Sequence, residues 1–578
     1  MHEFEPVYQK WLERSTSREI NDELSTIAGN IPEIQDRFYR NLEFGTGGIR
    51  GLIGAGPNRI NTYTIRKTTL GLAQLILKLY PRQENKVIIA YDSRHKSREF
   101  ALETALVLAK NKIQALVFQE IAPTPLLSFG VRELQATAGV VITASHNPKE
   151  YNGYKVYAGH GGQITDNLAQ AVTQEIYRIA DEFAIETMEQ KEAEAQGLLI
   201  WLQDEILEKY LTLTENLLLN KRLVQECASE LNIVYTPLYG TGLKPVRRIL
   251  QDTGFTNLHI VKEQAEADPD FPSLVCPNPE DPAACSLALR EGILLGADLI
   301  LATDLDADRV GILVRNQQGH FVSLSGNQTG ALLIDYILHM RKQQGTLPPN
   351  GVIVKTIVTS GLGAAVAQKS GIGCVDVLTG FKYIGEKISE FDQNKLHTFL
   401  FGYEESFGYL IGEHVRDKDG IQTCLCIAEM ALYYKKRGIT LYERLNQIYN
   451  EIGHYAEDLV NLEFSGLKGQ LQIKRITDSF RAGPPEKLKN LGLISCKDYL
   501  ESAVYDYRTG QTSRLDFPRA NILYYSLAKG AWSCIRPSGT EPKLKVYVGA
   551  VEKTREEALR SLSILKQTLL GFIHTLVS

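Results

Sequence analysis

The sequence predicts an α/β protein: three tandem, mostly parallel α/β domains followed by a smaller carboxyl-terminal α+β domain. Three observations predict this. The chain has 578 residues, more than one hydrophobic core supports, since domains run roughly 100 to 200 residues each. Short β-branched runs alternate with helical periodicity over the first three quarters, the pattern of mostly parallel sheets covered by helices. After about residue 452 the alternation stops, and strand-like pieces flank two helical stretches.

Taken in order, the first block, residues 1–215, holds KVIIAYDS, a helix, ALVFQE and AGVVITASHNP. It closes on the acidic, helix-like AIETMEQKEAEAQ and the amphipathic WLQDEILEKYLTLTENLL. The second, 216–322, runs from LNIVYTPLYGTG to ADLILATDLDADRVGILV. The third, 323–451, contains GNQTGALLIDYIL, GVIVKTIVTS and LHTFLFGYEES, and the last, 452–578, carries AEDLVNLEF, AWSCIRP and KLKVYVGA. Prolines 269, 272, 277, 279 and 282 fit neither helix nor central strand and predict an exposed loop.

Composition narrows the function. Hydrophobic residues are 44% and charged residues 23%, with a net charge of -5 and both signs mixed along the chain. This points to no nucleic-acid and no membrane partner. No segment reaches the ~18 apolar residues that span a bilayer, and the charged amino terminus is unlike a signal peptide. The eight cysteines form no CxxC pair and fit a reduced, cytoplasmic setting.

Polar, glycine-rich motifs directly follow apolar strands, where open α/β sheets bind their ligands. In TASHNP the strand AGVVI delivers Ser145 and His146 into a turn, where the serine is placed either as a nucleophile or as a turn cap. In DLDADR, Asp304, Asp306 and Asp308 alternate; an extended segment would turn all three carboxylates to one side. Their repulsion is relieved by a hard divalent cation, Mg²⁺ in preference. An EF-hand is excluded, because Arg309 and Arg315 stand where its glycine and glutamate belong.

In GYEESFG, Glu404 and Ser406 suit the hydroxyls of a sugar ring, with Arg416 and Lys418 adding positive charge; an ordinary polar loop reads the same way. RPSGTEPK offers Arg536, Ser538, Gly539 and Thr540 as a phosphate cradle, without the GK[ST] of a Walker loop. FGTGGIRG, with Arg50, reads as an anion nest rather than a dinucleotide fingerprint.

TASHNP, DLDADR, GYEESFG and RPSGTEPK in this order resemble the α-D-phosphohexomutase superfamily, in its phosphoglucomutase or phosphomannomutase branch. The likeness spans most of the chain. It implies four domains around a central cleft, the last a lid, and interconversion of hexose 1-phosphate and hexose 6-phosphate, with glucose the favoured sugar, through a phosphoserine and a bound sugar 1,6-bisphosphate. By the resemblance Ser145 would be the phosphoserine and, with Asp304, Asp306 and Asp308, a Mg²⁺ ligand. Arg50, His146 and Lys155 would serve the transfer. Gly380, Lys382, Glu404, Ser406, Lys418 and Arg309 would bind the sugar phosphate, and Arg536, Ser538, Gly539 and Thr540 the phosphate not being transferred. Glucose 1,6-bisphosphate would be the activator, the partner a small sugar phosphate, and the assembly a monomer or homodimer.

One departure is Leu305, where relatives often have proline, which leaves the rigidity of the metal loop to be supplied otherwise. Phosphomannomutase, phosphopentomutase and bisphosphate synthase chemistry could use the same parts. A haloacid-dehalogenase reading, with an aspartyl nucleophile in DxDx[TV], has Asp308 in the wrong place and leaves TASHNP and RPSGT unused. A sugar-phosphate-binding regulator would be expected to have lost the serine or a carboxylate.

Overall fold

A computed structural model describes residues 4–45, 47–464, 466–538 and 543–577, without the side chains of 466–468. The first sheet has six strands in the order Gly48–Leu52, Tyr151–Ala158, Ala138–Ile142, Lys86–Tyr91, Gln114–Phe118 and Leu199–Leu202. The last four run parallel, and the first two join antiparallel. Every residue of Ala138–Ile142 is buried, because helices cover both faces and a strand so placed must be apolar throughout. Helix Thr62–Leu79 starts at a capping box in which Asn61 and Thr64 satisfy each other's backbone donors, the usual remedy for unpaired N–H groups at a helix start.

The second sheet orders Phe321–Leu324, Val310–Arg315, Leu299–Thr303, Ile233–Thr236 and Leu258–Ile260, and its edge strand runs past residue 322. The third orders Gly373–Val377, Gly351–Thr356, Thr398–Glu404 and Gly408–Leu410. The fourth is a seven-stranded antiparallel sheet: His454–Glu463, Lys543–Glu552, Trp532–Pro537, Leu523–Leu527, Leu493–Asp498, Ala503–Asp506 and Thr512–Arg514. A continuous apolar core runs through the first three sheets and reaches one face of the fourth at Tyr499, Ile522, Trp532 and Tyr547. The fourth sheet's other face has a separate core.

Several expectations change. The segment read as an anion nest is an edge strand from Gly48, with Arg50 opposite Gly153; a sheet edge that would otherwise be open takes it up. The proline loop is only partly exposed, since Pro277 and Pro279 are buried. A Cβ on Gly311 would lie 2.5 Å from the Pro279 carbonyl oxygen, so the loop lies directly on a strand. The stretch read as one amphipathic segment splits into strand Leu199–Leu202 and helix Glu205–Glu215, and the acidic stretch, which begins where the short helical turn Glu182–Ala184 ends, is itself helical only at Gln190–Ala195. Three amino-terminal helices, Glu5–Arg14, Arg18–Thr26 and Ile31–Phe38, pack Trp11 and Phe38 beside Tyr63. Among the described residues no helix is long and apolar enough to cross a membrane.

Candidate active site

Each of the four motifs leaves the carboxyl end of an interior strand. Beyond Ala138–Ile142 the chain turns at Ser145, which has φ +52° and is buried. The Ser145 N–H is held by Thr143 Oγ1 at 2.8 Å. Gly153 passes so close behind that a Cβ there would lie 2.6 Å from the Thr143 carbonyl oxygen. Beyond Leu299–Thr303 the acid loop begins, and the two loops meet: Ser145 Oγ donates to Asp304 Oδ2 at 2.7 Å. His146 Nδ1 lies 3.3 Å from the same hydroxyl.

Asp304, Asp306 and Asp308 are all buried and can bring one oxygen each within 4.8 Å of one another. They do not converge as alternate residues of an extended segment. The loop turns, with Ala307 at φ +50°, and Asp304 Oδ1 accepts the N–H groups of Asp308 and Arg309 at 3.1 and 3.0 Å. A carboxylate that caps its own turn draws the chain into a coil, so convergence comes from the turn and not from strand alternation. Neighbours fix the coil. Leu305 is buried beside Tyr239 and Phe271, and its carbonyl accepts Thr241 N–H and Oγ1 at 2.8 and 3.0 Å. Thr124 N–H reaches the Asp306 carbonyl at 3.0 Å, and Gly420 N–H the Ala307 carbonyl at 3.0 Å. The stiffness a proline would supply at 305 is thus supplied by three flanking segments.

Cations surround the acids. Lys155 Nζ lies 2.8 Å from Asp306 Oδ2 and 3.7 Å from Asp308 Oδ2. Lys418 Nζ lies 2.9 Å from Asp308 Oδ2 and 3.3 Å from Asp417 Oδ1. Arg309 pairs with Glu280 at 2.7 Å and comes within 3.9 Å of Asp304 and 3.8 Å of Asp308. Burial and the charges of Asp308 and Asp306 push the Asp304 carboxyl well above its usual range. Burial also works to raise Asp306, but Lys155, with Lys418 and Thr124, outweighs it and holds that group low. Lys418 is disfavoured by burial yet raised by Asp308, Asp417 and Glu404. Burial, with Arg309 and Arg50, lowers His146 well below its ordinary value and favours a neutral ring.

The donor set fits a hard cation. Asp306 Oδ1 and Asp308 Oδ1 are buried and accept no hydrogen bond among the described residues. Buried carboxylate oxygens are costly unless paired or bound to a metal.

The remaining candidates line one cleft of about 2310 Å³ shared by all four sheets. Arg50 Nη1 donates to Asn147 Oδ1 at 2.9 Å. Glu404 Oε1 accepts the Gly380 N–H at 2.9 Å, and burial raises its carboxyl to about 7, against the pull of Lys418. Lys382 Nζ lies 2.6 Å from Asp166 Oδ1. Ser406, Arg536 and Ser538 face the same space, and Ser538 N–H donates to the Lys543 carbonyl at 2.7 Å. Gly539 and Thr540 lie outside the described residues.

Arg416 departs from expectation: it is buried, pairs with Asp392 and donates to the Glu413 and Val415 carbonyls, so its charge is used within the fold. Sequence reading missed Thr124, Glu280 and Asp166, which no motif marks. It also passed over Asp417, which stands between Arg416 and Lys418, the two residues read as adding positive charge.

Family models describing phosphoglucomutase/phosphomannomutase alpha/beta/alpha domains I, II and III match residues 41–183, 208–319 and 325–452, and the model of the C-terminal domain matches 502–562. A phosphoglucomutase of Staphylococcus haemolyticus is 37% identical over 513 residues, 88% of this chain and 90% of that protein. The chain belongs to the phosphoglucomutase/phosphomannomutase family. A phosphoglucomutase of Staphylococcus aureus is 36% identical over 520 residues, 89% of this chain and 91% of its own. The fold of this family member is also that of two solved structures. The open form of parafusin, a phosphoglucomutase from Paramecium, has a TM-score of 0.68 at 18% identity, covering 93% of this chain and 96% of that one. A phosphoglucomutase/phosphomannomutase family protein from Burkholderia thailandensis has a TM-score of 0.62 at 17% identity, covering 91% and 97%.

Proposed function

We propose that this enzyme interconverts glucose 1-phosphate and glucose 6-phosphate through phospho-Ser145 and a bound glucose 1,6-bisphosphate. The observation that carries this reading is the 2.7 Å contact between Ser145 Oγ and Asp304, which sets a nucleophile against a cation-ready acid cluster. The name shared by relatives at 36 to 37% identity favours glucose over mannose or a pentose. Asp304, Asp306 and Asp308, with an oxygen of phospho-Ser145, would hold Mg²⁺, which when bound supplies charge neutralisation at the phosphoryl oxygens.

The chain's own residues do the rest by alignment and electrostatics, since phosphoryl transfer asks little else of a protein. The serine Oγ–P bond breaks as a bond forms from phosphorus to a free sugar hydroxyl, whose proton passes to a nearby base. Lys155 is the group proposed for that proton, in its neutral amine form and so released from the ion pair it makes with Asp306. Glu404 and Ser406 would hold sugar hydroxyls, with Lys382, Lys418 and Arg309 lining the phosphate path. Arg536 and Ser538, with Gly539 and Thr540, would grip the phosphate that is not moving. The bisphosphate then turns round and returns its other phosphate to Ser145. The reading carries with it a cytoplasmic monomer or homodimer.

The test is a coupled assay of the purified protein with glucose 1-phosphate, Mg²⁺ and glucose 1,6-bisphosphate, run beside mannose 1-phosphate and ribose 1-phosphate. Glucose 6-phosphate is expected, is lost on chelation with EDTA and returns with Mg²⁺. Turnover by Ser145→Ala at the wild-type rate would remove the carrier role, and a faster reaction with either other sugar would move the substrate assignment.

A further inference from the structure

The proposed reaction needs two loops from different sheets held in register, and one buried arginine outside every motif is built to do that. Arg94 is 3% exposed. Its guanidinium donates to four main-chain carbonyls of the serine loop and the turn after it. Nη2 reaches Ser145 at 2.6 Å and Asn147 at 2.5 Å, and Nη1 reaches Pro148 at 2.7 Å and Tyr151 at 3.1 Å. Its own chain is anchored by Asp92, which lies 3.4 Å from Nε and accepts the Arg94 N–H at 3.0 Å.

The flat guanidinium also faces Phe271, 5.4 Å from the ring centroid, a cation–π contact. Phe271 comes from the proline loop of the second sheet, is 1% exposed and is held at φ +48°. It packs with Tyr239 and Leu305, and Leu305 separates Asp304 from Asp306. Ser93, beside Arg94, adds a second tie by donating to the Tyr239 carbonyl at 2.9 Å. One side of the arginine therefore fixes the nucleophile's backbone, and the other leans on the aromatic ring that backs the acid loop.

We infer that Arg94 and Phe271 form a bracket that positions Ser145 Oγ against the Asp304–Asp306–Asp308 cluster. Both are positioning residues, and neither lines the cleft. Lysine cannot replace the arginine, because a single ammonium offers neither a planar fork for four carbonyls nor a flat face for the ring.

This inference rests on the proposed mutase reading, and the experiment separates the two. Wild type, Arg94→Lys and Phe271→Leu are compared in the full chain by steady-state kinetics, normalised to the serine that a labelled sugar bisphosphate can phosphorylate. In parallel, Mg²⁺ alone is titrated and followed by tryptophan fluorescence. Misplacement of about 1 Å costs on the order of 10²-fold in rate, so kcat per phosphorylatable serine should fall by about that factor in Arg94→Lys, with KM within about twofold of wild type. Disturbing the support of metal ligands costs about 10- to 100-fold in affinity, so Phe271→Leu should weaken Mg²⁺ binding about tenfold or more. If Arg94→Lys does not fold, Phe271→Leu decides alone. Wild-type kcat and wild-type Mg²⁺ affinity in Phe271→Leu would overturn the bracket. A wild-type protein that binds Mg²⁺ but converts no sugar phosphate would overturn the mutase reading and leave the bracket to the Mg²⁺ titration.

Discussion

A side chain at φ +52° is strained unless it is glycine; left-handed backbone costs roughly 1 to 2 kcal/mol for other residues. Ser145 bears that strain with its N–H fixed by Thr143 and its hydroxyl on Asp304. Ser145→Gly and Ser145→Ala should both be inactive, yet the glycine variant should be the more stable by about 1 kcal/mol, read from paired denaturant melts. Equal midpoints would mean the turn relaxes once the hydroxyl is gone. A second prediction concerns Glu429, on helix Gly420–Lys435. It is fully buried, with Oε2 lacking a hydrogen-bond partner among the described residues, and burial raises its carboxyl to about 7 from an ordinary 4.5. A folded-state value above the unfolded one means the native protein holds the extra proton, so stability falls as pH rises from about 4.5 through 7. Glu429→Gln should gain about 3 kcal/mol over wild type at pH 8 and little at pH 4.5. Parallel thermal-melt curves at both pH values would refute this.

At the scale of single elements, the start of helix Gly420–Lys435 holds the acid loop. Its first N–H reaches the Ala307 carbonyl, and a Cβ on Gly420 would sit 2.6 Å from that oxygen. Gly420→Ala must therefore push helix and loop apart, at about 1 to 3 kcal/mol of strain. The expected result is a higher Mg²⁺ requirement in the activity assay; an unchanged Mg²⁺ titration would show that the acids do not feel the helix. The same region shows what sequence can and cannot convey. Runs such as AGVVI and ADLILAT announce interior strands because both faces are buried, and the polar residues after them stand out as loops at strand ends. How the aspartates converge was not legible, since it depends on Asp304 folding back on its own turn. Arg94 left no trace either, because most of what it binds is main chain and main chain has no sequence signature, and Thr124, whose hydroxyl donates to Asp306 Oδ2 at 2.9 Å, stands in no motif. The short outer strands, the partly buried Ala503–Asp506 and the exposed Thr512–Arg514, carry mixed residues and give no periodic signal.

Across the whole molecule, one core is shared by the first three sheets and met by one face of the fourth, while the first, second and fourth sheets each carry a further core on their other face. The fourth sheet brings Arg536 to the cleft from the far side. Removing that side chain with Arg536→Ala should cut kcat/KM by the equivalent of about 1.5 to 3 kcal/mol, the worth of a charged hydrogen bond, without altering Mg²⁺ dependence. An unchanged kcat/KM would place the distal phosphate elsewhere. The cleft between these walls, about 2310 Å³, bears on the kinetics of the proposed intermediate. A hexose with two phosphates occupies only a fraction of such a cleft, which leaves it room to turn end over end between the walls before it departs. Isotope placed on one molecule of bisphosphate should then surface in the sugar phosphate made in that same visit, undiluted by a pool of unlabelled bisphosphate outside.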